Sequence, residues 1–145
     1  VGVKYKGNST FGENNVKNPM NIALDYVKGN QDYQGFRTIK LSNVKNDPSF
    51  LREVLSYEIA RKYMVAPQSN HAKVYVNDVY HGLYVSSESI NSDFQNDYLY
   101  SDKVNSRFKC NPESVFNGNG SSLEYLGNDS SSYYDFYDVL LYNTL

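Results

Sequence analysis

The chain lacks tryptophan, has a single cysteine and carries little net charge. A lone cysteine, Cys110, excludes an intrachain disulfide and leaves the redox compartment open. With 14 basic and 16 acidic residues the formal charge is −2, so composition gives no electrostatic case for binding nucleic acid or an anionic membrane surface. No apolar run approaches the roughly 18 residues that a membrane-spanning helix needs. We therefore expect neither a nucleic-acid partner nor membrane insertion.

Aromatic residues are abundant instead, with 15 Tyr and 7 Phe among 145 residues. Tyrosine is amphipathic and common on β-rich surfaces and at interfaces. A chain of this length fits one domain, or one lobe of a larger one. His71 and His81 have no Cys or His at ligand spacing nearby, so the sequence predicts no metal site.

Hydrophobic periodicity predicts the order of the secondary structure over residues 1–90. Alternating apolar residues indicate strands at 1–6, 20–27 and 37–43, the first two forming an antiparallel pair around a polar turn. Asp47 and Pro48 are typical of a helix start, and apolar residues at spacing four continue that helix to residue 63. Two strands follow, joined by an Asn77-Asp78 turn. We therefore predict an α+β fold with a five-stranded antiparallel sheet and one packed helix.

Residues 91–145 differ in composition from the first part. The stretch "INSDFQNDYLY" predicts a short helix and residues 107–110 a short strand, before a long loop rich in Asn, Gly and Ser. The final stretch "YYDFYDVLLYNTL" is helix-like and has no stop signal, so we expect the chain to be cut inside an element. We interpret 1–90 as one lobe and 91–145 as a connector, a loop and the start of a truncated second lobe.

The order of three strands, one helix and two strands resembles the small lobe of protein-kinase-like folds. In that lobe the first turn covers the nucleotide phosphates, a lysine on the third strand pairs with a helix glutamate, and the connector after the fifth strand touches the adenine. The corresponding positions here are the turn Lys6–Thr10, with Lys6, Gly7, Asn8 and Ser9, and the lysine Lys40. The glutamate is Glu53 or Glu58, and the connector is Ser86–Ile90, which contains Glu88.

Several short motifs resemble those of the spore coat protein H (CotH) kinase family, in the same order and at nearly the same spacing over roughly residues 1–112. They are "GVKYKGNST", "GFRTIKLSN", "DPSFLREVLSYEIARKYMVAPQSNHAKVYVNDVYHGLYVSSESIN" and "RFKCNP". The resemblance implies a secreted bacterial protein at the cell surface that uses ATP and Mg²⁺ to phosphorylate Ser or Thr of spore-coat or other surface proteins. It also implies that Lys40 and Glu53 form the catalytic pair, and that the turn and Glu88 bind the nucleotide.

Two departures from the family pattern limit that expectation. Asn21 and Ala23 stand on the second strand where many relatives carry lysines, so Lys40 would have to supply the phosphate contact. The aspartates that orient the acceptor and hold Mg²⁺ are expected beyond Leu145, and we interpret Asp135 and Asp138 as surface residues. We expect this chain alone to be inactive, and the alternative function is a non-catalytic surface, adhesion or carbohydrate-binding module that keeps the fold.

Overall fold

The computed structural model of the chain describes residues 1–7, 9–99 and 124–133, and the backbone of residues 107–110 and 137–141. Its first unit, Val1–Leu99, contains five strands and two α-helices. These elements are β1 (Gly2–Tyr5), β2 (Met20–Ala23), β3 (Thr38–Ser42), α1 (Arg52–Ala60), β4 (Ser69–Val76), β5 (Val79–Ser87) and α2 (Ser92–Leu99).

The five strands form one antiparallel sheet in the order β1-β2-β3-β5-β4. This confirms the predicted α+β class and the predicted five-stranded sheet, with strands somewhat shorter than the alternation suggested. The short helix predicted after the fifth strand is α2, so the unit has a second helix beside the packed one. The unit boundary falls after Leu99, and the predicted division at residue 90 stays a prediction.

The hairpin between β4 and β5 turns at the predicted dipeptide. Val76 lies opposite Val79, and Asn77 and Asp78 have positive φ angles of 49° and 65°. Positive φ at both central residues defines a type I′ turn, whose twist matches that of the flanking strands. Asn and Asp tolerate this backbone better than other non-glycine residues, which explains why this dipeptide fixes the register of the two longest strands.

The core of the sheet is small and lies around its central strands. Met20, Leu41 and Tyr84 form a buried cluster, and partly buried aliphatic residues of β2, β3 and β4 pack against it. Tyr84 and Val85, both on β5, are fully buried. The apolar residues that alternation assigned to the strands therefore do form a core, with β3 and β5 at its centre.

Helix α1 begins at Arg52 rather than at Pro48, although Asp47 still satisfies its first turn. Asp47 Oδ2 accepts a hydrogen bond from the Arg52 N–H at 2.9 Å, and Oδ1 accepts one from the Ser49 N–H at 3.1 Å. The Ser49 hydroxyl and these N–H groups lower the pKa of the Asp47 carboxyl. The carboxylate thus caps the helix across a tight turn, in which Phe50 adopts a φ of +60°.

The second unit, Tyr100–Leu145, contains an antiparallel pair of β6 (Arg107–Cys110) and β7 (Tyr137–Leu141) and a 3₁₀ turn at Ser130–Tyr133. The helix-like interpretation of the last apolar stretch is wrong, because Asp138 lies opposite Lys109 in a ladder. A short apolar run does not distinguish helix from strand by periodicity alone. Asp135 and residues 111–123 of the predicted loop lie outside the described residues.

Candidate functional site

A row of polar residues crosses the five-stranded sheet, one residue on each strand. Directly opposed pairs connect, in strand order, Lys4, Asn21, Lys40, Ser87 and Ser69, and we call these five residues the polar row. Opposed residues on neighbouring antiparallel strands point to the same face of a sheet. Leu41, the next residue after Lys40, belongs to the core cluster on the other face. Lys40 therefore lies on the face opposite the core cluster, as alternation along β3 requires.

Helix α1 brings Glu53 to the polar row. Ser87 Oγ donates a hydrogen bond to Glu53 Oε1 at 2.5 Å, and Ser69 Oγ lies 2.9 Å from Ser87 Oγ. Glu53 is half-buried, whereas Glu58, the other candidate glutamate, is exposed. The carboxylate next to the strand of Lys40 is therefore that of Glu53.

The apolar side chains of Leu51, Leu55 and Ile59, which we call the apolar stripe, are not on the side of α1 that faces the sheet. Glu53, Tyr57 and Ala60 are half-buried at helical spacing, while Leu55 and Ile59 are 45% and 55% exposed. Burial raises the pKa of the Tyr57 hydroxyl, and the negative charge of Glu53 one turn earlier raises it further. The helix thus presents a carboxylate to the sheet and leaves its apolar stripe on the outer side of the described unit.

Lys6, directly after β1, has a half-buried amine within electrostatic reach of Glu53. Its N–H donates to the Pro19 carbonyl at 3.0 Å, which closes the base of the turn. Burial lowers the pKa of the Lys6 amine from 10.5, and the charge of Glu53 opposes this shift. The charge of Glu53 therefore acts on the Lys6 amine.

The turn after Lys6 has a backbone that favours glycine. Gly7 has a φ of +93°, and a Cβ at this position would clash with Thr10 Oγ1. Substitution by any L residue would therefore strain the turn. Ser9 is exposed, and Asn8 lies outside the described residues.

Asn43, a buried residue, fixes the far side of this turn. Sequence reasoning missed this residue. Asn43 is 7% exposed, and its Nδ2 donates to the carbonyls of Thr10 and Lys17, each at 3.1 Å. These bonds span 33 and 26 residues, so no local pattern indicates them. Ser87 falls inside the predicted connector, but its bond to Glu53 was missed for the same reason, because its partners depend on strand register.

Glu88 directly follows β5, one residue after Ser87 of the polar row. Its N–H donates to the Gln68 carbonyl at 2.8 Å, and its Oε2 accepts from the Gln68 N–H at 3.0 Å. A cavity of about 420 Å³ is lined by Glu88 together with Thr38 and Ser87. Lys6, Lys40 and Glu53 do not line this cavity, so the candidate residues fall into two groups.

No group of three or more His, Cys, Asp or Glu residues in the described part of the chain could hold a metal ion. None of the described helices is both long and apolar enough to cross a membrane.

A family model described as CotH kinase protein matches residues 3–139 of the chain. The match covers most of the chain and includes all the candidate site residues from Lys6 to Glu88. A search of curated proteins finds no match.

Proposed function

This chain belongs to the CotH kinase family, and we propose that it forms the nucleotide-binding part of a kinase that transfers phosphate from ATP to surface proteins. The acceptor would be a Ser or Thr hydroxyl of a spore-coat or other surface protein, and the protein would work outside a bacterial cell. The observation that carries the proposal is the contact of Glu53 with the polar row that contains Lys40. Kinases pair a strand lysine with a helix glutamate, and here Glu53 bonds to Ser87, the residue directly opposite Lys40.

Each candidate residue has a role that follows from its place. Lys40 would bind the nucleotide phosphates, with Glu53 orienting its amine. Lys6 would add a second positive charge from the end of β1, and the backbone of Gly7 and Ser9 would cover the phosphates. A lysine amine donates up to three hydrogen bonds, which suits phosphate oxygens. ATP would supply the phosphoryl group.

The position of Asn21 supports the assignment of the phosphate contact to Lys40. Asn21 lies directly opposite Lys40 on the neighbouring strand, and Lys4 lies opposite Asn21 on its other side. An amide therefore replaces the lysines that many relatives carry on this strand, while lysines on β1 and β3 flank it. The cations of the polar row are supplied by the strands on either side of β2.

The cavity at Glu88 supports a place for the adenine. Its volume of about 420 Å³ lies within the range of small-molecule sites, and residues of the connector line it. Mg²⁺ would arrive on the phosphates of ATP, since it binds phosphate oxygens and keeps several waters. Because the described residues contain no carboxylate cluster for a metal, no residue is assigned to Mg²⁺ and no step is derived through it.

The proposal is tested with the full-length protein that contains this chain. We expect ATP with Mg²⁺, at about a hundredfold excess over its Kd, to raise Tm by about 5 °C or more. Labelled phosphate from ATP should also appear on Ser or Thr of a surface-protein substrate. Lys40→Met should abolish both effects.

The matched control is Lys73→Met. Lys73 is an exposed strand lysine, four residues along β4 from Ser69 and therefore about 13 Å from the polar row. This variant should behave like the unaltered protein. A full-length protein that shows neither the ATP-dependent shift in Tm nor phosphate transfer would overturn the proposal and leave the non-catalytic surface module.

A further inference from the structure

Ser87 connects the sheet to the carboxylate of α1. Its Oγ donates to Glu53 Oε1 at 2.5 Å, across 34 residues of sequence. The bond is partly buried, and a hydrogen bond to an ionised carboxylate is roughly twice as strong as one between neutral groups. A glutamate side chain on a helix surface otherwise samples several rotamers, and ordering it costs conformational entropy. The bond to Ser87 offsets that cost before any ligand binds.

Ser69 extends this contact into a directed chain of hydrogen bonds. Ser69 Oγ and Ser87 Oγ lie 2.9 Å apart. A hydroxyl has one proton to donate, and the proton of Ser87 is directed to Glu53. Ser69 is therefore the donor to Ser87, and the chain runs from Ser69 through Ser87 to Glu53. Donation from Ser69 polarises the Ser87 hydroxyl and strengthens its bond to the carboxylate.

The strand register makes Ser87 the residue between Lys40 and Ser69. Ser87 lies directly opposite Lys40 on β3 and directly opposite Ser69 on β4. Opposed residues in an antiparallel pair have Cβ atoms roughly 5 Å apart. A carboxylate bonded to Ser87 is therefore held over the strand next to that of Lys40.

We propose that Ser87, supported by Ser69, is a positioning residue that holds the Glu53 carboxylate in place to orient Lys40. This rests on the proposed function, because it assigns Ser87 to the same site. The hydroxyl acts on Lys40 through the Glu53 carboxylate, to which its proton is directed. Its loss should therefore slow turnover more than it weakens ATP binding.

The kinetic test uses the full-length protein and three variants. Ser87→Ala should lower kcat by about tenfold or more, the loss expected when a hydrogen bond to a charged group is removed. The KM for ATP should change by less than about threefold. Ser87→Thr keeps the hydroxyl and should restore most of kcat. Ser56→Ala is the matched control, since Ser56 is exposed on α1 and does not line the cavity at Glu88.

Equal kcat values for Ser87→Ala and Ser56→Ala would overturn the inference. So would a failure of Ser87→Thr to recover activity while its Tm matches that of the unaltered protein. A merely structural role for Ser87 would change Tm in all Ser87 variants without this dependence on the hydroxyl.

A second measurement separates this inference from the proposed function. In a double-mutant cycle of Ser87→Ala and Glu53→Ala, thermal unfolding reports the coupling of the two side chains whether or not the protein is a kinase. We expect the double variant to lose clearly less Tm than the sum of the two single losses. Additive losses would overturn the inference even in an active kinase. If the full-length protein neither binds ATP nor transfers phosphate, non-additive losses would still support the positioning of Glu53 by Ser87.

Discussion

Lys6 is a charged residue in a place that disfavours its charge. Its amine is half-buried after β1, and burial lowers its pKa more than the nearby Glu53 carboxylate raises it. A group whose pKa is lower in the folded chain than in the unfolded one destabilises the fold while it is protonated. Strained or poorly solvated groups of this kind are kept where function needs them. The position therefore suits an amine that receives an anionic ligand.

We predict that Lys6→Met raises Tm at pH 7 and weakens ATP binding by about tenfold. Methionine keeps most of the apolar length of lysine and removes the buried charge. The stability penalty of Lys6 is complete below its folded pKa and disappears as the pH rises to 10.5, the value of an unperturbed lysine. The gap in Tm between Lys6→Met and the unaltered chain should thus close in that direction, as measured by calorimetry from pH 7 to 10.5.

The exposed Lys4, on the same strand, provides the control for this prediction. Lys4→Met should leave Tm nearly unchanged across the same pH range. A Lys6→Met variant less stable than the unaltered chain at pH 7 would show that the attraction of Glu53 outweighs the cost of burial.

Residue roles were predictable from the sequence where they depend on local pattern. Alternation along a strand gave the face of Lys40, and the turn residue Gly7 was recognisable from its permissive backbone. Ser87 and Asn43 were not recognisable, because their bonds join segments 26 to 34 residues apart. Polar residues of these types occur throughout the chain, and nothing in their neighbours distinguishes them. The strand register places these residues beside their partners, and a single sequence does not determine that register.

At the scale of elements, α1 shows how a correct helix prediction can leave orientation open. The apolar spacing indicates that the helix has an apolar side, but not what that side meets. Here the sheet presents a polar row to the helix, and Glu53 and Tyr57 face it. Leu51, Leu55 and Ile59 are each between 45% and 55% exposed. The sequence thus predicts the existence of α1, and the register of the sheet decides which side packs.

We predict that polar substitutions in this stripe have little effect on the stability of the chain. Leu55→Ser and Ile59→Ser should each change the free energy of unfolding by about 0.5 kcal/mol or less, as at other exposed sites. Leu41→Ala, in the buried cluster, should cost about 2–5 kcal/mol because it leaves a cavity. Urea denaturation of the three variants measures this difference. A cost for Ile59→Ser comparable to that of Leu41→Ala would show that the stripe is packed.

At the scale of the molecule, the strands of the first unit differ in how strongly pairing and burial stabilise them. The central strands β3 and β5 each pair with two neighbours and contain Leu41, Tyr84 and Val85, the most buried residues. β1 is an edge strand of four residues, three of them exposed. Local opening is easiest where few apolar contacts and exposed hydrogen bonds hold the backbone. The turn that would cover a nucleotide thus follows the least supported strand.

We predict that hydrogen exchange follows this gradient across the sheet. Backbone amides of β3 and β5 should exchange most slowly, at rates set by global unfolding, and those of β1 should exchange faster through local opening. Equal protection of β1 and β5 would show instead that the sheet opens as one cooperative unit.

The same measurement connects this gradient to nucleotide binding. If ATP binds at Lys6 and Lys40, added ATP with Mg²⁺ should slow exchange most in β1, because ordering the turn after Lys6 also holds the strand before it. A bound ligand suppresses local opening that breaks its site, in proportion to the occupancy of the site. Amides in β5 that exchange only by global unfolding gain protection no larger than the global stabilisation of the unit. Protection that rises equally in β1 and β5 would mean that the ligand stabilises the unit without ordering the turn, and the turn would then be no cover for the phosphates.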